Sequence, residues 1–175
     1  GRSSSVSEDY LLSSGELLLR EARAIFDGTI TEPIRLMQVN TELGALYRSR
    51  LKMAMQDGQS SKIKSLYQQS LFYLDRAIKE AHDSMLLEEE IDARMHRAKL
   101  QFHSGEREQA EQELQEMRQL LPAEYLISTE KVPDDEQEQA WIFAQLGKVE
   151  SLQGQIGMAR FRKRATLVGQ ELNEP

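Results

Sequence analysis

The chain has 175 residues and a formal net charge of −7, a balance that excludes a general nucleic-acid binder, whose affinity comes from Lys and Arg laid against phosphates. It has no cysteine, which excludes disulfides, thiol catalysis and thiolate metal sites and fits a reducing, cytoplasmic setting. The longest aliphatic run is Leu17-Leu18-Leu19, far short of the about 20 apolar residues that cross a bilayer, and no signal-type apolar stretch follows Gly1-Arg2-Ser3-Ser4-Ser5.

Residues 1–7 read as a disordered tail or a tag scar, and 8–175 as a single domain. Leu, Glu, Gln, Ala and Arg dominate while Val, Ile and Thr are sparse, which is helix-forming composition throughout. Seven helices are predicted. The first covers 8–26 and stops at Asp27-Gly28. The second opens at Thr31 with Pro33 in its first turn and carries the apolar stripe Leu36, Val39, Leu43, Tyr47, Leu51. A third over 60–82 carries Ile63, Tyr67, Leu71, Leu74, Ala77 and Ala81. The fourth, 86–103, carries Leu87, Ile91, Met95, Ala98 and Phe102, and Gly105 ends it. The fifth, 106–121, uses Ala110, Leu114, Met117 and Leu121 before Pro122. After a loop over 123–133, Asp134 caps a sixth helix that runs to about 153 with Trp141, Leu146 and Val149. Gly154 is expected to break it, and a seventh covers 156–172 with Met158, Phe161, Ala165, Val168 and Leu172. Each stripe covers one face only, so each helix must bury it on neighbours. Short glycine breaks turn consecutive helices antiparallel, which predicts an all-α fold of stacked helical hairpins.

One spacing occurs twice. Ala98, Gly105 and Ala110 stand at offsets 0, 7 and 12, and Gly147, Gly154 and Ala159 repeat them 49 residues later. Small residues at these intervals suit two helices that cross closely, with a glycine in the turn. Over 98–122 this pattern, with Leu114 and the closing Pro122, resembles a tetratricopeptide repeat. The unit at 146–175 is similar through Leu146-Gly147, Gly154 and Ala159, but Lys163 replaces an apolar residue and no proline closes it. A third, degenerate unit begins at Leu43-Gly44 with Tyr47 and places Tyr67, Leu74 and Ala77 on its second helix. The small positions Gly44, Ala98 and Gly147 are 54 and 49 apart, against a family period of about 34, so the resemblance implies an irregular right-handed array.

That resemblance also implies a concave face, lined by first helices, that receives a partner's helix or peptide. Its inner-face candidates are Met95, Lys99 and Phe102 in one unit and Ala144, Lys148 and Ser151 in the next. Lys99 and Lys148 are equivalent and suit an acidic segment, although lysines on helix faces are usually only solvated. The family's clamp for chaperone C-termini requires asparagines beside such lysines, and neither they nor Ala45 have them. Trp141 either fills the junction of the fifth and sixth helices or anchors the partner. Glu88, Asp92 and His96 share one helical stripe with His103 beyond, but no second Glu-x-x-His completes a bundle metal site, so an Asp92–His96 surface pair is the plainer reading. Arg160, Arg162, Lys163 and Arg164 read as cations of a helix C-terminus. No phosphate loop, nucleophile elbow or acid–base pair stands out. These features point to a non-enzymatic scaffold for a protein or peptide partner, without cofactor, metal, nucleic acid or membrane, with homo-oligomerisation through the end helix left open. The alternative is a helical sensor segment of a larger ATP-dependent signalling protein.

Overall fold

The computed structural model describes residues 2–28, 33–121, 144–145 and 147–159. Every regular element among them is an α-helix, and there is no strand. The order is α1 (Arg2–Gly28), α2 (Pro33–Gln56), α3 (Ser60–Asp83), α4 (Leu87–Ser104) and α5 (Arg107–Leu120), followed by α6 over 147–159. The helix of α1 starts at Arg2 and so takes in residues assigned above to a tail.

From α2 to α5 consecutive helices run antiparallel, as the partners across each pair show. Asn40 meets Glu80 and Tyr47 stacks on Tyr73 between α2 and α3. Asp75 meets Arg97 between α3 and α4, and Arg94 meets Glu113 and Glu116 between α4 and α5. Arg118 pairs with Glu150 between α5 and α6. In addition, α2 packs directly on α4, the pattern of hairpins stacked side by side.

The three turns from α2 to α5 share one hydrogen-bond pattern. At the last, Gly105 N–H donates to the Phe102 carbonyl (3.2 Å) and Glu106 N–H to the Gln101 carbonyl (2.9 Å). That pair of bonds closes a helix when the residue after its cap is left-handed, and Gly105 has φ 88°. Gly58 (φ 68°) closes α2 in the same way. The turn after α3 uses Met85 instead, at φ 56°, with Met85 N–H on the His82 carbonyl and Leu86 N–H on the Ala81 carbonyl. Glycine is missing where the conformation favours it, which is why this turn leaves no punctuation in the sequence.

Two helices cross closely at Gly44. A methyl group there would stand 2.5 Å from Leu74 Cγ and 3.3 Å from the Ser70 carbonyl oxygen. The Ser70 hydroxyl donates to the Gly44 carbonyl at 2.7 Å, which ties α3 to α2 at the same point. The unit that looks most degenerate in sequence therefore has a close approach with no room for a side chain at its small position. Ala98 and Ala110 also meet in the core, as their hairpin predicts, with Leu114 and Met117 beside them.

At Gly154 the expected break is absent. α6 continues through Gly154 and Gly157, and among the described residues no atom outside the helix's own backbone lies within 4 Å of a methyl group built on Gly147, Gly154 or Gly157. Val149, Leu152 and Ile156 form one buried stripe against Met95, Ala98, Leu114 and Met117. Burial of that stripe outweighs the about 1 kcal/mol each helical glycine costs. The second copy of the spacing is thus a coincidence of offsets without a turn at its glycine. Of the expected seventh helix, 156–159 belong to α6 and 160–172 lie outside the described residues, as do the 123–133 loop, the start of the sixth helix and the basic cluster at 160–164.

Candidate functional site, a basic cleft on alternate helices

α4 divides its faces sharply. Ile91, Met95 and Ala98 are buried, Met95 to 1% exposure, while Asp92, His96, Lys99 and His103 follow another stripe at helical spacing. This second stripe faces the space between α2 and α6. A cleft of about 590 Å³ opens there, lined by Arg48 from α2, Lys99 and His103 from α4, and Lys148, Ser151 and Leu152 from α6. No carboxylate is among its described lining residues. An adjoining cleft of about 340 Å³ has the opposite sign, with Glu42, Glu88, Glu89 and Asp92 in its wall, and Lys148 borders both.

The cations of the larger cleft repel one another. Burial lowers the Lys99 pKa, and the nearby charges of Arg48 and Lys148 lower it further. Burial likewise depresses that of Arg48, whose buried Nε has no hydrogen-bond partner. Among the described residues Arg48 forms no ion pair, whereas Arg20, Arg50, Arg76, Arg94, Arg97 and Arg118 each hold a carboxylate. Lys148 Nζ donates only to the amide oxygen of Gln145, at 3.3 Å. The His103 Nδ1–H donates to the Lys99 carbonyl at 2.6 Å, which orients its ring at the cleft wall.

His96 lies deeper. Burial first, and the Arg48 charge second, push its pKa down to about 4, so it is neutral at pH 7. Its Nδ1 is buried without a hydrogen-bond partner. The exposed Asp92–His96 pair anticipated from the i, i+4 spacing is not formed, because the imidazole is turned into protein rather than along the surface. Among the described residues no three His, Asp or Glu side chains come together closely enough to hold a metal ion.

The structure brings together Lys99, Lys148 and Ser151 of the expected inner face, with Ala144 at the same wall. Phe102 is half-buried and packs on the α4–α5–α6 core. Met95 lies inside that core, so it supports the cleft from beneath and offers no surface to a partner. Trp141 lies outside the described residues. Arg48 is the cleft residue that sequence reasoning missed. The signal was there: Arg48, Phe102 and Ser151 each stand four residues past the small positions Gly44, Ala98 and Gly147.

No family model, curated protein or solved structure matches the chain. Its function is therefore read from its own residues.

Proposed function

We propose that this chain is a protein-interaction module that holds a partner's peptide or helix in the groove between α2, α4 and α6. The observation that carries this reading is the cleft itself: Arg48, Lys99 and Lys148 converge from three helices on one concavity whose described lining residues include no carboxylate. Helix faces with solvated lysines normally keep them apart or beside acidic neighbours. Here the charges are set where they cannot neutralise each other, on a rigid, packed scaffold. Such a surface selects an acidic partner, speeds its encounter through long-range attraction and fixes its register. Among the described residues no helix is long and apolar enough to cross a membrane. The absence of cysteine fits work in a reducing cytoplasm.

A photo-crosslinker at Ser151 tests the groove. It should capture a partner that the same group at exposed Gln112 on α5 does not, and Lys99→Glu with Lys148→Glu should abolish the capture while helicity stays unchanged. Capture that survives both charge reversals refutes the reading.

A further inference from the structure

We infer that the cleft between Arg48, Lys99 and Lys148 is an oxyanion site, built to hold a multiply charged acidic group of the bound segment: a phosphorylated side chain, or two adjacent carboxylates. This rests on the groove's being a surface for a peptide partner and adds the chemistry that the partner must carry there.

Three observations support it. The first is an unbalanced charge. Arg48 and Lys148 both act on Lys99 to disfavour its charged form, and Asp92, the carboxylate that acts on Lys99, is outweighed by these two cations in the same cleft. A cluster of this kind is stabilised by an anion that enters it, because the repulsion among the cations becomes attraction to the guest.

The second is donor geometry. Arg48 is half-buried and without an ionic partner among the described residues, so its guanidinium is free to grip two oxygens of one group in a fork. Lys99 and Lys148 approach from other helices, and each adds a point charge. A single carboxylate has two oxygens and one charge, and it leaves most of this set unused. A phosphoryl group, or a pair of carboxylates, has the oxygens and the charge to engage all three cations.

The third is the neighbouring cleft. Glu42, Glu88 and Asp92 line it and repel the same guest, which confines the anion to the end of the groove beyond His96. Lys148 stands at the border of the two clefts.

The test uses the full chain and four probes at matched ionic strength: inorganic phosphate, and three ten-residue glycine–alanine carrier peptides with amidated C-termini. One carrier has a central phosphoserine, one has two adjacent glutamates, and one has serine. Affinity is measured by calorimetry, and the ring signals of His96 and His103 report the place of binding by NMR. The phosphoserine carrier, the glutamate carrier or both should bind at least about tenfold more tightly than the serine carrier, and whichever does so names the source of the charge. Arg48→Gln and Lys148→Gln should each remove most of that advantage. Lys148 is exposed, so its replacement leaves the fold intact and keeps the test sound even if Arg48→Gln does not fold. Charged carriers that bind no better than the serine carrier while inorganic phosphate does not bind through these residues either, or an advantage that persists in both variants, overturn the oxyanion site. If inorganic phosphate binds through these residues and no carrier improves on it, the oxyanion site stands and the peptide groove falls.

Discussion

Replacing Gly44 and Gly154 by alanine should change stability in opposite directions. At Gly44 the new methyl carbon would lie 2.5 Å from Leu74 Cγ and 2.6 Å from Leu74 Cδ2, where about 3.5–4.0 Å is comfortable. Leu74 is fully buried, and Cγ is its branch point, so the clash is not relieved by turning a side-chain tip. α2 and α3 must separate by about 1 Å, which costs about 1–3 kcal/mol in overpacking. The Ser70 hydroxyl bond to the Gly44 carbonyl, 2.7 Å long, stretches with them and loses up to about 1 kcal/mol. Alanine's better helix propensity returns about 1 kcal/mol, for a net loss of up to about 3 kcal/mol. At Gly154 none of the described residues packs within 4 Å, so the propensity acts and the variant gains up to about 1 kcal/mol. Urea unfolding followed by circular dichroism resolves both, and each kcal/mol moves Tm by about 2–4 °C in a chain of this size. A Gly44→Ala variant more stable than the parent, or a Gly154→Ala variant that loses stability, refutes this account of where the helices touch.

Met85→Gly relieves a left-handed conformation at a residue 91% exposed and should stabilise the chain by about 1 kcal/mol, read as a higher urea midpoint at unchanged slope. Arg94→Met strands the buried carboxylates Glu90 and Glu113, each 4% exposed, and should cost about 3–5 kcal/mol; Arg97 still holds Glu113, so a loss near the lower end is expected. His96 gives a pH dependence of definite sign. Its native pKa of about 4 lies below the ordinary 6.5, so the unfolded chain takes up this proton first as pH falls. Its contribution is whole above about pH 6.5 and is lost toward pH 4, about 3 kcal/mol in all, and His96→Gln should flatten the stability–pH curve across that window.

The bounds of α3, α4 and α5 were legible because each is set within a few residues of chain: a stripe of apolar side chains at helical spacing, then a local closure. α4 was expected over 86–103 and runs Leu87–Ser104; α5 was expected over 106–121 and runs Arg107–Leu120. The stop at Gly105 was legible for the same reason. Half of the cleft was legible too, since Lys99 and Lys148 share a register. Arg48 shares the register of Phe102 and Ser151, but that register does not show that it lacks a carboxylate, which depends on the helices packed around it. Met95 was misjudged because one turn separates it from Lys99, and that turn is enough to move a side chain from the cleft to the core.

What the sequence determined by itself is therefore helicity, most helix ends and the antiparallel order, all consequences of hydrogen bonds and apolar stripes a few residues apart. Only the tertiary structure decided what its glycines do. Gly105 ends a helix, Gly44 lets two helices touch, and Gly154 sits unnoticed inside one. The difference lies in what surrounds each of them, and for α6 the burial of Val149, Leu152 and Ile156 on distant residues overrides the local preference to stop. Charge follows the same rule: an arginine's identity is written in the chain, but whether it meets a carboxylate depends on which helices the core brings together.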